Sequence, residues 1–182
     1  QGPSSSASSE PAELHAMALP AGGRLSAPLK IADTLVSTTP LVVLGNDGSG
    51  HALYTDPQGR LVSRRYLSAF TQWLETTTVA PDGGEYARLL HHPAAPENAA
   101  LTLWREKAAP YRIQVRRWQG SGWQSVPIPT PPCWGSGFVD AAINASGAVV
   151  VAWACTNAVY ASHLTGSTWS VPTRIDRTVG EV

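Results

Sequence analysis

A tryptophan returns along this chain at near-constant spacing, and that return constrains the fold more than any other feature. The segment Gly166 to Ile175, around Trp169, has relatives at Gly120 to Ile128 around Trp123, at Phe70 to Val79 around Trp73, and at Gly22 to Ile31 with Leu25 at the marker position. The markers are 48, 50 and 46 residues apart. A period of this size describes one supersecondary unit that must stack on copies of itself to hide its apolar faces.

The material between markers repeats as well. Leu41 to Asp47, Glu85 to His91 and Phe138 to Asn144 each precede a cluster rich in Gly, Pro or Asn, which reads as a strand running into a turn. A second run follows, Ala52 to Tyr54, Leu101 to Trp104 and Val149 to Trp153, closing each time on an aromatic with steps of 50 and 49 residues. A third run, Arg60 to Tyr66, Tyr111 to Trp118 and Ala158 to Leu164, alternates apolar and polar residues as a half-buried strand does. The marker segment is the fourth. No window carries a capped apolar stripe at helical spacing, and Glu10 to Leu19 is expected to supply one short turn at most.

Four short strands per unit is the sequence form of a propeller blade. The expected fold is therefore all-β, a propeller-type array of about three four-stranded blades, half of a ring that another copy or another chain completes. The expected organisation is a Ser-rich leader over residues 1–20, repeats over 21–176 (units near 32–79, 80–128 and 129–175) and a tail at 177–182. A non-propeller stack of sheets is the alternative reading of the same period.

Composition limits the partners. Thirteen basic side chains balance 13 acidic ones, which argues against a binder of nucleic acid or of anionic membrane surfaces through bulk charge. The longest apolar run, Ala148 to Cys155, has eight residues, against about 20 for a membrane-spanning helix. Residues 1–10 hold five Ser and no large apolar side chain, so ordering them brings too little burial to offset the entropy lost. That stretch fits a tether behind a removed export signal and fits an engineered start equally well. Two cysteines, Cys133 and Cys155, exclude a zinc knuckle built on paired CxxC motifs. They leave two readings, reduced thiols or one disulfide; the disulfide is expected, in a secreted, periplasmic or cell-surface protein.

With these repeats in view, the chain resembles the bacterial secreted β-propellers, the group that includes sialidase-type Asp-box propellers and sugar-binding propeller lectins. The resemblance spans Gly22 to Ile175. Its motif is the Asp-box turn, Asp-x-Gly-x-Thr-Trp: Gly166, Thr168 and Trp169 match it, as do Gly120 and Trp123. Leu164 and Trp118 stand at the acidic position, and the copy at Phe70 to Trp73 lacks the Gly. What the resemblance implies is a propeller and a saccharide ligand; a sialidase would further need three arginines around the substrate carboxylate plus an acid and a nucleophile.

Candidate chemistry is sparse. There is no GxSxG elbow and no HExxH, and the adjacent His91 and His92 point to opposite faces if they lie in a strand. The run Asn46 to Gly50 has the oxygens of a calcium loop but no later carboxylates, and reads as an Asx turn. No cofactor or metal is expected, and catalysis is not expected. The third run carries the sharpest coincidence: Arg64-Arg65-Tyr66 and Arg116-Arg117-Trp118 occupy equivalent places. One Arg of each pair would face a cleft beside an aromatic, a combination suited to a sugar.

Trp73, Trp123, Trp169, Tyr54, Trp104 and Trp153 follow the repeat and are expected to pack between blades. Trp134 lies off it, on a Pro-rich insertion with Cys133, where a Cys133–Cys155 bridge would fix it. The expected ligand contacts are Arg116, Trp118, Arg64, Tyr66 and Trp134, the expected partners a glycan and a second copy or partner chain over the open blade faces. The expected function is an exported carbohydrate-binding module, with a structural or protein-interaction scaffold as the alternative and a glycosidase as a third reading.

Overall fold

The structure is a computed structural model, and it describes residues 13–17, 24–33, 39–92, 100–129 and 138–176. Cys133 and Trp134 lie outside the described residues. Three four-to-five-stranded antiparallel sheets follow one another along the chain. The first holds β3 (Leu41–Leu44), β4 (Gly50–Thr55), β5 (Leu61–Leu67) and β6 (Gln72–Trp73), with β7 (Thr77–Ala80) continuing along β5. The second is β8 (Glu85–His91), β9 (Ala100–Arg105), β10 (Ile113–Gln119) and β11 (Gly122–Ser125). The third is β12 (Val139–Ile143), β13 (Val149–Cys155), β14 (Ala158–Thr165) and β15 (Thr168–Trp169), with β16 (Thr173–Arg174) also on β14. Strand order equals chain order in each sheet. This meander is what the Gly, Asn and Asp turns dictate, because they leave room for hairpins only.

The first strands β3, β8 and β12 are neighbours, β8 lying between the other two, so the sheets radiate from a common inner edge. The chain is a β-propeller-type array of three blades. A further two-stranded sheet, β1 (Leu14–Ala16) with β2 (Leu29–Ala32), packs on the outer flank of the first blade. Part of the stretch expected as a leader is therefore a strand. Its sequence, Leu14-His15-Ala16, alternates half-buried and exposed residues, and Leu14 and Ala16 join an apolar cluster with Ile31, Ala52, Tyr54, Val62 and Trp73. That burial is what orders it.

Three clusters sit between sheets, not within them, and they show how each blade addresses its neighbours. Tyr54 packs toward β1–β2, Trp104 toward the first blade and Trp153 toward the second. Leu53 and the pair Leu101 and Leu103 face the opposite way, each toward the following blade. Alternation along a strand sends adjacent residues to opposite faces, so in the first two blades one strand glues both flanks. The repeating Trp123 and Trp169 pack in the same manner toward the blade before them. Trp123 donates from Nε1 to Ser63 Oγ at 2.6 Å. Trp169 joins the cluster containing Val115, whose side chain carries no oxygen, and its Nε1 has no partner among the described residues.

Candidate functional site

Cavities open where two sheets meet. One lined mainly by apolar surface, about 480 Å³, lies between β1–β2 and the first blade, at the end where β3 runs out and β4 begins. Its walls are the rings of Tyr66 and Trp73, 5.2 Å apart and tilted by 47°, with Leu29, Val42 and Leu44 beside them. Arg24, Ser26, Ser68 and Thr71 supply its polar atoms. Ser68 Oγ donates to the Asp47 carbonyl at 2.7 Å and lies 3.3 Å from Ser49 Oγ, which fixes the hydroxyl and leaves one lone pair to accept. Asp47 belongs to the Asn46 to Gly50 turn, where its Oδ1 accepts from the Ser49 N–H at 2.9 Å; the run is an Asx turn holding the cavity rim. Among the described residues no group of three or more His, Cys, Asp or Glu is placed to hold a metal.

A second cavity, about 280 Å³, occupies the equivalent place between the second and third blades, with Ile143, Gly147 and Gly166 where the first has Leu44, Gly48 and Ser68. His92 reaches its floor beneath Gly147, whose φ of +82° suits glycine and whose missing Cβ would lie 2.1 Å from His92 Nε2. Between the first two blades the corresponding space is filled. There Trp118 and Trp123 meet edge to face at 5.6 Å and both rings rest on the fully buried His51, at 5.0 and 5.4 Å. The third cavity, about 520 Å³, is at the other end of that same blade pair, lined by Trp104, Arg116, Gln114, Glu106, Lys107 and Asp82 among others. The Arg116 guanidinium lies 5.7 Å from the Trp104 ring centroid, and Gln114 Nε2 donates to Glu106 at 2.6 Å.

The structure thus separates the residues nominated from sequence. Tyr66 and Arg116 line cavities, at opposite ends of the array. Trp118 is 8% exposed inside the packing between the first two blades. Arg64 is held by the fold itself: it donates to the carbonyls of Ile31, Leu74 and Trp73 at 2.6, 2.7 and 3.3 Å, tying β2 and the bend after β6 to β5. The Arg was legible as facing a junction between units; the three carbonyls that fill its fork were not, because they come from a bend without a side-chain signature. Trp73, Arg24 and Ser26 were missed as site residues. Trp73 obeys the repeat and read as packing, and the cavity it walls depends on β1–β2, which has no full copy of the repeat.

His91, next to His92 at the end of β8, points to the other side, toward the first blade's Gly45 turn. Burial, helped by the neighbouring His92 charge, holds its imidazole below the ordinary histidine value, against the opposing pull of Asp47. Its Nε2 has no hydrogen-bond partner among the described residues. A histidine whose folded value is depressed leaves the unfolded chain to take up the proton first. Its contribution to stability is present above about pH 6.5 and drains away as the pH falls below that. Thermal unfolding across pH 7.5 to 5.5 should show this slope, and His91→Gln should flatten it.

No family model matches the chain, and none of the curated proteins compared does. Solved structures do. The chain is similar to a fucose lectin from Kordia zhangzhouensis, solved with methyl-fucoside, with a TM-score of 0.50 and 17% identity over 73% of this chain and 96% of that one. It is similar also to AofleA from Arthrobotrys oligospora, with a TM-score of 0.55 and 14% identity over 82% of this chain and 47% of that one. The chain spans about half the length of AofleA. These likenesses agree with the propeller-type fold read from the period. They lend nothing to an Asp-box: Trp118 and Leu164, at its acidic position, are buried apolar residues.

Proposed function

We propose that this protein is a non-catalytic carbohydrate-binding module whose principal site is the cleft between β1–β2 and the first blade. The observation that carries the reading is the pairing of the Tyr66 and Trp73 rings in one cavity with Arg24 and hydroxyl oxygens around them. Sugar rings present C–H faces that rest on aromatic faces and hydroxyls that need donors and acceptors, and the cavity supplies both. Its volume lies in the range of small-ligand sites. The fold likeness to a fucose lectin supports the class of ligand without choosing the sugar.

Methyl-fucoside, methyl-galactoside and a glycan array are the first probes. Tyr66→Ala should weaken the best saccharide at least about tenfold, or 1.4 kcal/mol, in calorimetric titration. An array with no signal at high protein concentration, or a Tyr66→Ala variant that binds like the parent, rejects the cleft. The Arg116 and Trp104 cavity supports the same class of ligand in second place, and Arg116→Ala tests it in the same titration.

Two further parts of the reading rest on packing and cysteine usage. Val150 is 49% exposed on the outward flank of the third blade, whereas His51 and Leu101, at the equivalent places in the other blades, are buried. We infer that a second copy covers that flank; a mass above the monomer in light scattering supports it and a monomer at all concentrations rejects it. Cys155 packs against the cluster between the second and third blades and no free cysteine occurs among the described residues. A bridge from Cys155 to Cys133 in an exported protein is the proposal, and two alkylatable thiols in the unreduced protein would remove it.

A further inference from the structure

Two tyrosines hold left-handed backbone in this chain, Tyr86 at φ +53° and Tyr111 at φ +57°. Bulky residues avoid that region, and where they occupy it the surrounding structure must enforce it. Tyr86 sits in a slip of register between β8 and β9, and Tyr111 just before β10. Both rings end on one group: the Arg105 guanidinium lies 4.9 Å from the Tyr86 centroid and 5.2 Å from that of Tyr111. Phe138, just before β12, meets Tyr86 edge to face at 4.8 Å and 69°. The three residues are nevertheless 37%, 42% and 69% exposed. Strain that served only the core would bury them. Here it presents the two tyrosines, with Phe138 against Tyr86, to solvent around one anchored cation, at the end of the array opposite the Tyr66 cleft.

From this geometry we infer a second ligand site, an aromatic platform of Tyr86, Tyr111 and Phe138 around Arg105 that takes a neutral sugar. The inference rests on the carbohydrate-binding reading and adds to it a separate place. The ligand is neutral because the charges here are already matched: Arg105 pairs with Glu85, and the nearby Arg88 pairs with Asp140 at 2.8 Å. An anion would have to break one of these pairs. Exposed ring faces supply contact for C–H groups, and the two phenol hydroxyls with the Glu85 carboxylate supply donors and acceptors. Two saccharide sites at opposite ends of one molecule would let it bridge two glycans.

The test is a titration of the whole protein with methyl-fucoside, methyl-galactoside and methyl-glucoside, followed through assigned aromatic NMR resonances. At least one glycoside should move the rings of Tyr86, Tyr111 and Phe138 saturably. Tyr86→Gly and Tyr111→Gly should each weaken that binding at least about tenfold while the melting temperature stays level or rises, because glycine accepts the left-handed backbone without strain. Unmoved platform rings, or glycine variants that bind like the parent, overturn the site. So does a fall in melting temperature with binding retained, since the rings would then serve the fold. If the Tyr66 and Trp73 signals move while the platform stays still, the platform fails and the carbohydrate reading stands. If no glycoside moves any of these rings, both fail.

Discussion

Trp153→Ala should destabilise the protein more than any other single change, by about 3–5 kcal/mol. The indole is 2% exposed, stacks on Tyr160 at 6.2 Å with 19° between planes, and shares a cluster with Leu101, Leu103, Ile113 and Val115 of the second blade. Removing it leaves a void that sheet backbones on both sides are too constrained to fill. Trp153→Phe keeps a ring in the gap and should lose less than half as much. Urea denaturation measures both, and an alanine variant within about 1 kcal/mol of the parent would mean that the junction between the second and third blades carries little of the stability.

Arg64→Ala should come next, at about 3 kcal/mol, because three carbonyls that now receive charge-assisted hydrogen bonds would be left without their donor. Unlike the tryptophan, this residue acts at one place. Hydrogen exchange should quicken at Ile31 and around Leu74 while amides of β9 and β13 keep their protection. Arg64→Lys should not rescue it, since an ammonium presents no planar fork to three separate acceptors. Because β1–β2 forms one wall of the Tyr66 cleft, the same variant should also lose saccharide affinity. Uniform loss of protection across all blades would show that Arg64 stabilises the whole array and not this joint.

The fold was legible because it is periodic. Tyr54, Trp104 and Trp153 recur in the second strand and pack between units, as their spacing implied; the structure adds that each faces the unit before it. The site was legible only in part. Tyr66 and Arg116, which line cavities, stood out in the sequence because a cation beside an aromatic recurs at matching positions, but repetition of a motif does not repeat its surroundings. Tyr66 meets open space beside β1–β2, whereas Trp118, its counterpart, meets His51 and Trp123 and is buried. Tyr86 and Tyr111 gave no sequence signal at all. Their positive φ values arise from a register slip and a loop, and nothing in a one-dimensional pattern states which way a ring will be turned.

Each unit offers its large ring backward, and the first two offer leucines forward, so the joint between neighbours has a front and a back. A surface made this way is not self-complementary; between units it meets the opposite surface of its neighbour, and at the first blade β1–β2 takes the neighbour's place. Tandem duplication of one unit would hand the newcomer a matching partner on either side, which lets the number of units change without inventing a new joint.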